Sequence, residues 1–393
     1  MSTSNVSFVR QEIEPEASPP VSSRGVIGWM RENLFSTPSN SVLTLVALAF
    51  VFWAVPPMYN FLIGNAVFPG EGVTGETCRT NNTGACWAFI EARMDFFIYG
   101  FFPKDPYWVE QTGFLANIMI YWRVNLVFFL GLLLIVPLLW PDLPYKTLNA
   151  ILFFVVYPVI VFILLNGGMF GLEEVPTENW GGLTVTLIIG LVGIVVSLPL
   201  GIVLALGRQS NLPVIKSACI MFIELWRAVP LITVLFMASV MLPLFAPPDM
   251  TVDKLLRALI GVSLFSAAYM AEVVRGGLQA LPRGQYEAAS SLGLSYWKSM
   301  IFIILPQALK HVIPGIVNSF IALFKDTSLV SIVGIFDLLK TVQSSVGSDL
   351  DWISPNLGTT GYIFAAAVFW IFCFSMSRYS SFMERRLDTG HRS

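Results

Sequence analysis

The sequence predicts an all-α integral membrane protein with about eight transmembrane helices. Three observations predict it. The 393 residues are 55% hydrophobic and only 12% charged, about half the charged share of an ordinary soluble domain. Mean hydropathy is +0.71. Stretches free of Asp, Glu, Lys and Arg recur at 33–70, 124–141, 147–172, 179–207, 228–248 and 352–377, against the roughly 20 apolar residues that a bilayer crossing needs. So few charges cannot cover a soluble globule of this size, and lipid must be the solvent for much of the surface.

The spans follow in order. Residues 1–35 form a polar N-terminal tail. Its first part, 1–24, reads MSTSNVSFVRQEIEPEASPPVSSR, which lacks the apolar core of a signal peptide and suits a disordered segment. Spanning helices are expected near 41–63, 124–140, 147–166, 183–206, 217–243, 255–275, 306–324 and 360–378. The apolar but short 327–340 reads as a re-entrant or interfacial helix. Gly193, Pro199 and Gly201 interrupt the fourth span, which suits a moving element or an ordinary kinked helix.

Eight crossings place both termini on one side, and Lys and Arg choose which side. With the termini cytoplasmic, fourteen basic residues lie on that side and eight on the other. Arg227, inside the bilayer, is the last of the 23. The largest external segment is then 64–123, which carries Cys78 and Cys86. In an oxidising compartment these are expected to form a disulfide, the alternative being two free thiols. The segment is expected to lie outside the last five helices, so that loss of the bond costs little activity. Cys219 and Cys373 sit in apolar runs and read as core residues. No CxxC pair is present and there are only two histidines, so no metal site is expected. A net charge of −2 implies no nucleic-acid face.

The cytoplasmic loop 276–305 is the most informative stretch. Pro282 suits a helix's first turn and Gly293 a left-handed stop, and Ser295 can cap the next helix. The helix between them carries Glu287, Ala288, Ala289, Ser290 and Ser291. Its run of small residues lets another surface approach closely, as a docking element would. The loop is much longer than the median connection of about 4–6 residues.

Glu287-Ala288-Ala289, then Gly293, Ile303, Leu305 and Pro306, resembles the EAA signature of permease subunits in bacterial binding-protein-dependent ATP-binding-cassette (ABC) importers. GLTVTL, SLPLGIVLALGR and FIELWRAVPLI within 182–236, AAYMAEVVRGGLQALP at 267–282 and KDTSL at 325–329 are similar to the histidine/glutamine type of amino-acid permease. The likeness covers about 179–380. The extra N-terminal helices further resemble the extended permeases of general L-amino-acid importers. The resemblance implies that the last five helices, within 171–393, form a type I ABC-importer permease core. The segment 36–170 adds three helices with the external loop 64–123. Arg283, Gln285, Glu287, Ala288, Ala289 and Gly293 would couple to the ATPase subunit. The implied partners are an ATP-binding-cassette ATPase dimer that carries ATP and Mg, a second homologous permease in a heterodimer or a homodimer, a periplasmic amino-acid-binding protein, L-amino acids and membrane lipid. The implied location is the bacterial inner membrane, multi-pass.

Ionisable residues inside a membrane default to functional hypotheses. Glu224 and Arg227 lie three apart on one helical face, as a structural ion pair or, for Arg227, as a bidentate ligand of a substrate carboxylate. Lys325, Asp326 and Ser328 end the seventh span, as a polar outer loop or, through Asp326, as a site for a substrate ammonium. No catalytic residue or cofactor is expected in the chain itself, since no GxxxxGK[ST] motif is present and ATP must be held elsewhere. The alternatives are a permease for another small polar solute and a membrane channel, which has no use for the docking helix. A membrane enzyme has little support, because His311 and His391 are isolated.

Overall fold

A computed structural model of the chain describes residues 25–81, 83–110, 118–140, 143–245, 247 and 252–387. The polar stretch 1–24 and the C-terminal residues with His391 and Arg392 lie outside them. The chain divides into two compact units, one of Met1–Ala66 with Thr83–Ala85 and one of Val67–Asn82 with Cys86–Ser393. In the first, helix α1 (Gly25–Asn33) occupies the end of what the sequence reads as a tail. Helix α2 (Pro38–Tyr59) follows, with Thr37 accepting from the Asn40 amide as its cap and Pro38 at a position that needs no amide hydrogen. It continues through a π turn (Asn60–Gly64) after Pro56 and Pro57.

The second unit begins with a small cap built of α3 (Gly75–Thr80), α4 (Trp87–Ala92) and α5 (Met94–Tyr99). Cys78 and Cys86 form a disulfide, with Cα atoms 5.8 Å apart. Spanning helices α6 (Trp122–Leu139), α7 (Lys146–Asn166) and α8 (Gly182–Arg208) follow. Then come α9 (Pro213–Ala228), α10 (Leu231–Phe245), α11 (Lys254–Ala280), α12 (Arg283–Ser291), α13 (Leu305–His311), α14 (Ile313–Asp326), α15 (Leu338–Ser348) and α16 (Leu357–Leu387). Seven helices among the described residues are long and apolar enough to span a membrane, and the α9–α10 pair makes up to eight.

The fifth span differs from the sequence reading. Instead of one helix over 217–243, α9 and α10 meet at 106°. Pro230 has no amide hydrogen and pushes the residue before it out of the helical region, and Val229 is extended, with φ −106° and ψ 135°. Hydropathy alone runs straight through this break. The seventh span also shifts, to Ile313–Val333, because 327–333 is a 3-10 turn continuing α14 rather than a separate re-entrant helix. Prolines shape three further places. Tyr157 and Leu305, each followed by a proline, bond back five residues to Leu152 and Met300, because the proline ring displaces the carbonyl four before it and widens the turn. In α10, Pro243 leaves the Ser239 carbonyl without its helical donor, and the Arg257 guanidinium of α11 donates to that carbonyl instead.

Helices α8 and α11 pack along their length. A methyl at Gly201 would come within 2.8 Å of the Met270 Cβ, and one at Gly193 within 2.9 Å of Leu323. These glycines serve close helix approach, and α8 is continuous through Pro199. At the start of α8 the cap joins the bundle. Phe89 and Phe97 pack with Leu338, Val342, Leu357 and Ala365 in one buried cluster. The Cys86 amide donates to Thr360 Oγ1 at 3.1 Å, and Arg93 pairs with Asp349 at 2.5 Å. The segment expected to stand apart from the last helices therefore packs into them through α3, α4 and α5. The 27 residues of α8 span about 40 Å, which separates a disulfide-bearing end from an opposite end carrying α12.

Candidate functional site: docking helix, charge cluster and cavity

Helix α12 is formed as its start and stop residues require. Pro282 stands at the N-cap in extended conformation. Gly293 has φ +72°, a left-handed geometry that favours glycine. Its amide donates to the Ser290 carbonyl at 2.9 Å, and the Leu294 amide reaches the Ala289 carbonyl at 3.3 Å, the two bonds of a Schellman stop. Ser295 occupies the next N-cap, but its side chain makes no capping bond. Arg283, Gln285, Glu287 and Ala288 are exposed, whereas Ala289 is buried against the bundle. The small face is thus divided, one alanine packing inward and the other left open. Tyr286 anchors the helix by donating to the Leu278 carbonyl at 3.2 Å, and burial raises the phenol's pKa, so it remains a donor. Leu292 and Trp297 extend the open surface with apolar side chains, 76% and 64% exposed.

At the same end lies a charge cluster. Glu224 and Arg227 do not pair with each other. Arg208, the last residue of α8, reaches Glu224 at 3.0 Å and Glu272 at 2.6 Å. Arg275 reaches Glu272 at 2.7 Å and Arg227 approaches it at 3.8 Å. Glu272 is the hub, and its side chain is only 16% exposed. Its three arginines come from α8, α9 and α11, the last of which leads directly into α12. Arg208, Glu272 and Arg275 were the residues missed as a site. The available signal was one carboxylate inside the apolar run of the sixth span.

Arg227 also lies over the Tyr269 ring, 5.6 Å from its centroid. Tyr269 also lines a cavity of about 240 Å³ between α8, α11 and α14, together with Ser197, Ser266, Ser319, Asp326 and apolar neighbours. Asp326 is the charged residue of this lining. Lys325 is exposed, and Ser328 donates to the Lys325 carbonyl at 2.9 Å. Neither belongs to the lining, so of the five candidate residues Asp326 lines the cavity, Arg227 contacts its Tyr269, and the other three lie outside. Hydroxyls, one carboxylate and an aromatic edge suit a small polar solute carrying a cationic group.

Residues 197–389 match the family described as binding-protein-dependent transport system inner membrane component. The chain is 52% identical over 369 residues to the inner membrane amino-acid ABC transporter permease protein YhdY of Escherichia coli strain K12, covering 94% of this chain and 95% of that protein. It is 42% identical to the glutamate/glutamine/aspartate/asparagine transport system permease protein BztC of Rhodobacter capsulatus, over 99% of this chain and all of that one. A solved structure described as an amino acid ABC transporter with histidines is 30% identical, with a TM-score of 0.45 over 52% of this chain and 92% of that chain.

Proposed function

The chain belongs to the inner-membrane components of binding-protein-dependent transport systems, the permease subunits of ABC transporters, and from that premise we propose that it carries L-amino acids into a bacterial cell. A periplasmic binding protein delivers the amino acid to the disulfide-bearing end. A separate ATPase dimer, holding ATP and Mg, closes against α12 and draws α11 with it. The bundle then exposes its cavity to the other side. The second half of the bundle is a homologous permease, a sister chain or a copy of this one. Both termini face the cytoplasm, with Arg283, Lys298 and the Arg208–Arg275 cluster.

What carries this proposal is the anchored nine-residue helix α12, exposed between two spans and aligned with the charge cluster. The amino-acid class is supported by the names of two relatives that match over nearly the whole chain. Within the cavity, Asp326 takes the substrate ammonium, and Arg227, on swinging past Tyr269, takes the carboxylate. Affinity purification of the tagged chain in mild detergent is the test. An ATP-hydrolysing subunit should copurify, and proteoliposomes of the complex should accumulate amino acids only with ATP and binding protein. Passive flux without an ATPase partner would mean a channel.

A further inference from the structure

A second cavity of about 240 Å³ lies at the disulfide-bearing end, lined by Phe101, Glu178, Trp180, Lys254, Phe336 and their neighbours. We propose that it is an outer binding site for a free α-amino acid, with Lys254 holding the carboxylate and Glu178 the ammonium. The inference rests on the amino-acid reading and adds a site to it.

Two opposite charges line one cavity, yet neither charged group has a partner among the described residues. Glu178 is exposed and Lys254 half-buried, so water solvates both, and a ligand bearing both signs can take that water's place. The neighbouring carboxylate is already engaged, since Asp253 caps α11 through the Leu256 amide and accepts from Thr177 Oγ1. Glu178 is therefore the free anion of this wall. Lys254 opens α11, where a cation opposes the helix dipole, so its position calls for a reason other than helix stability. Its ammonium lies beside Gly334, 3.6 Å from where a Cβ would stand.

The remaining wall is aromatic. Phe101 and Phe336 meet edge to face with centroids 5.0 Å apart, and Trp180 is held by its Nε1 donating to the Val175 carbonyl. Such a wall accepts varied side chains. The cavity's 240 Å³ leaves room for a free amino acid. Along α11, Lys254 stands eleven residues before Phe265 of the central cavity, about 16 Å at the helical rise. The two sites are in series, the outer one receiving what a binding protein releases.

The test uses the whole purified transporter without binding protein and a radiolabelled mixture of L-amino acids in equilibrium binding. Glu178→Gln and Lys254→Met should each lose roughly half of the retained label, one site of two. The exchange Glu178→Lys with Lys254→Glu should restore it, because a zwitterion can bind reversed, and a structural role would not be rescued. Size-exclusion profiles and ATPase content verify assembly. Unchanged label in both single variants overturns the proposal. So does a loss in the single variants that the charge exchange leaves unrestored, which would make the charges structural. A wild-type complex that neither retains nor imports any amino acid sinks the amino-acid reading itself, and this site with it.

Discussion

Arg227 sits between the Glu272 hub and the face of Tyr269, so its guanidinium can serve either. Arg227→Lys keeps the charge and removes both the planar fork and the stacking. If Arg227 takes the substrate carboxylate, the half-saturating concentration should rise about tenfold for every amino acid carried, the equivalent of about 1.4 kcal/mol, with expression unchanged. Equal affinity across several substrates would make Arg227 structural. Asp337 offers a different residue-scale test. It is fully buried at the N-cap of α15, accepting from the Leu339 and Lys340 amides. Burial pushes its carboxyl up to about 6 despite those bonds. Below about pH 4 it is protonated in the folded and unfolded chain alike. Between about 4 and 6 the unfolded chain releases its proton first, so native stability falls across that window, by up to ~3 kcal/mol, and no further above it. Asp337→Asn should remove that slope from a melting-temperature profile of the purified protein, and a slope that persists would locate its origin elsewhere.

At the scale of elements, α12 is defined by its two ends. Proline is locked near φ −65° and cannot take the +72° of Gly293. Gly293→Pro should therefore disorder the stop and cut ATP-driven uptake at least about tenfold, with the subunits still assembled. Gly293→Ala, strained by roughly 1 kcal/mol, should be milder. Glu287→Lys reverses an exposed charge on α12 without touching the bundle, and should uncouple ATP hydrolysis from transport if α12 is where the ATPase docks. Normal uptake in both Gly293→Pro and Glu287→Lys would sink the docking assignment. Both ends of α12 were legible because proline and glycine act through local backbone geometry. The break at Val229–Pro230 was equally local, and it was passed over because the apolar run around it is continuous.

For the whole molecule, the cap changes what the disulfide does. It staples a segment whose Phe89 and Phe97 share a core with α15 and α16. With Cys78 and Cys86 eight residues apart, removing the bond should cost about 2–3 kcal/mol on the chain-entropy account. Cys78→Ser with Cys86→Ser should then lower the melting temperature and also reduce transport, since α15 and α16 lose a packed neighbour. Thiol labelling without reductant should modify neither cysteine in the wild-type chain. Two labelled cysteines would refute the bond, and full transport by the double variant would show that the cap is dispensable.

The sequence by itself determined the membrane class, most of the span positions and the two ends of α12. Hydropathy over about 20 residues, proline and glycine stops and the spacing of small residues are properties of neighbours along the chain. Only the tertiary structure decided which charges meet. Glu224 and Arg227 share a helix, yet they are drawn to Arg208 and Glu272 on other helices, since an ion pair forms with whatever charge lies closest in space. It likewise decided that Asp326 alone of its segment lines the central cavity, and that the external loop packs into the last helices. A charge carries no mark of its partner, and an apolar side chain none of its neighbour, until the helices are assembled.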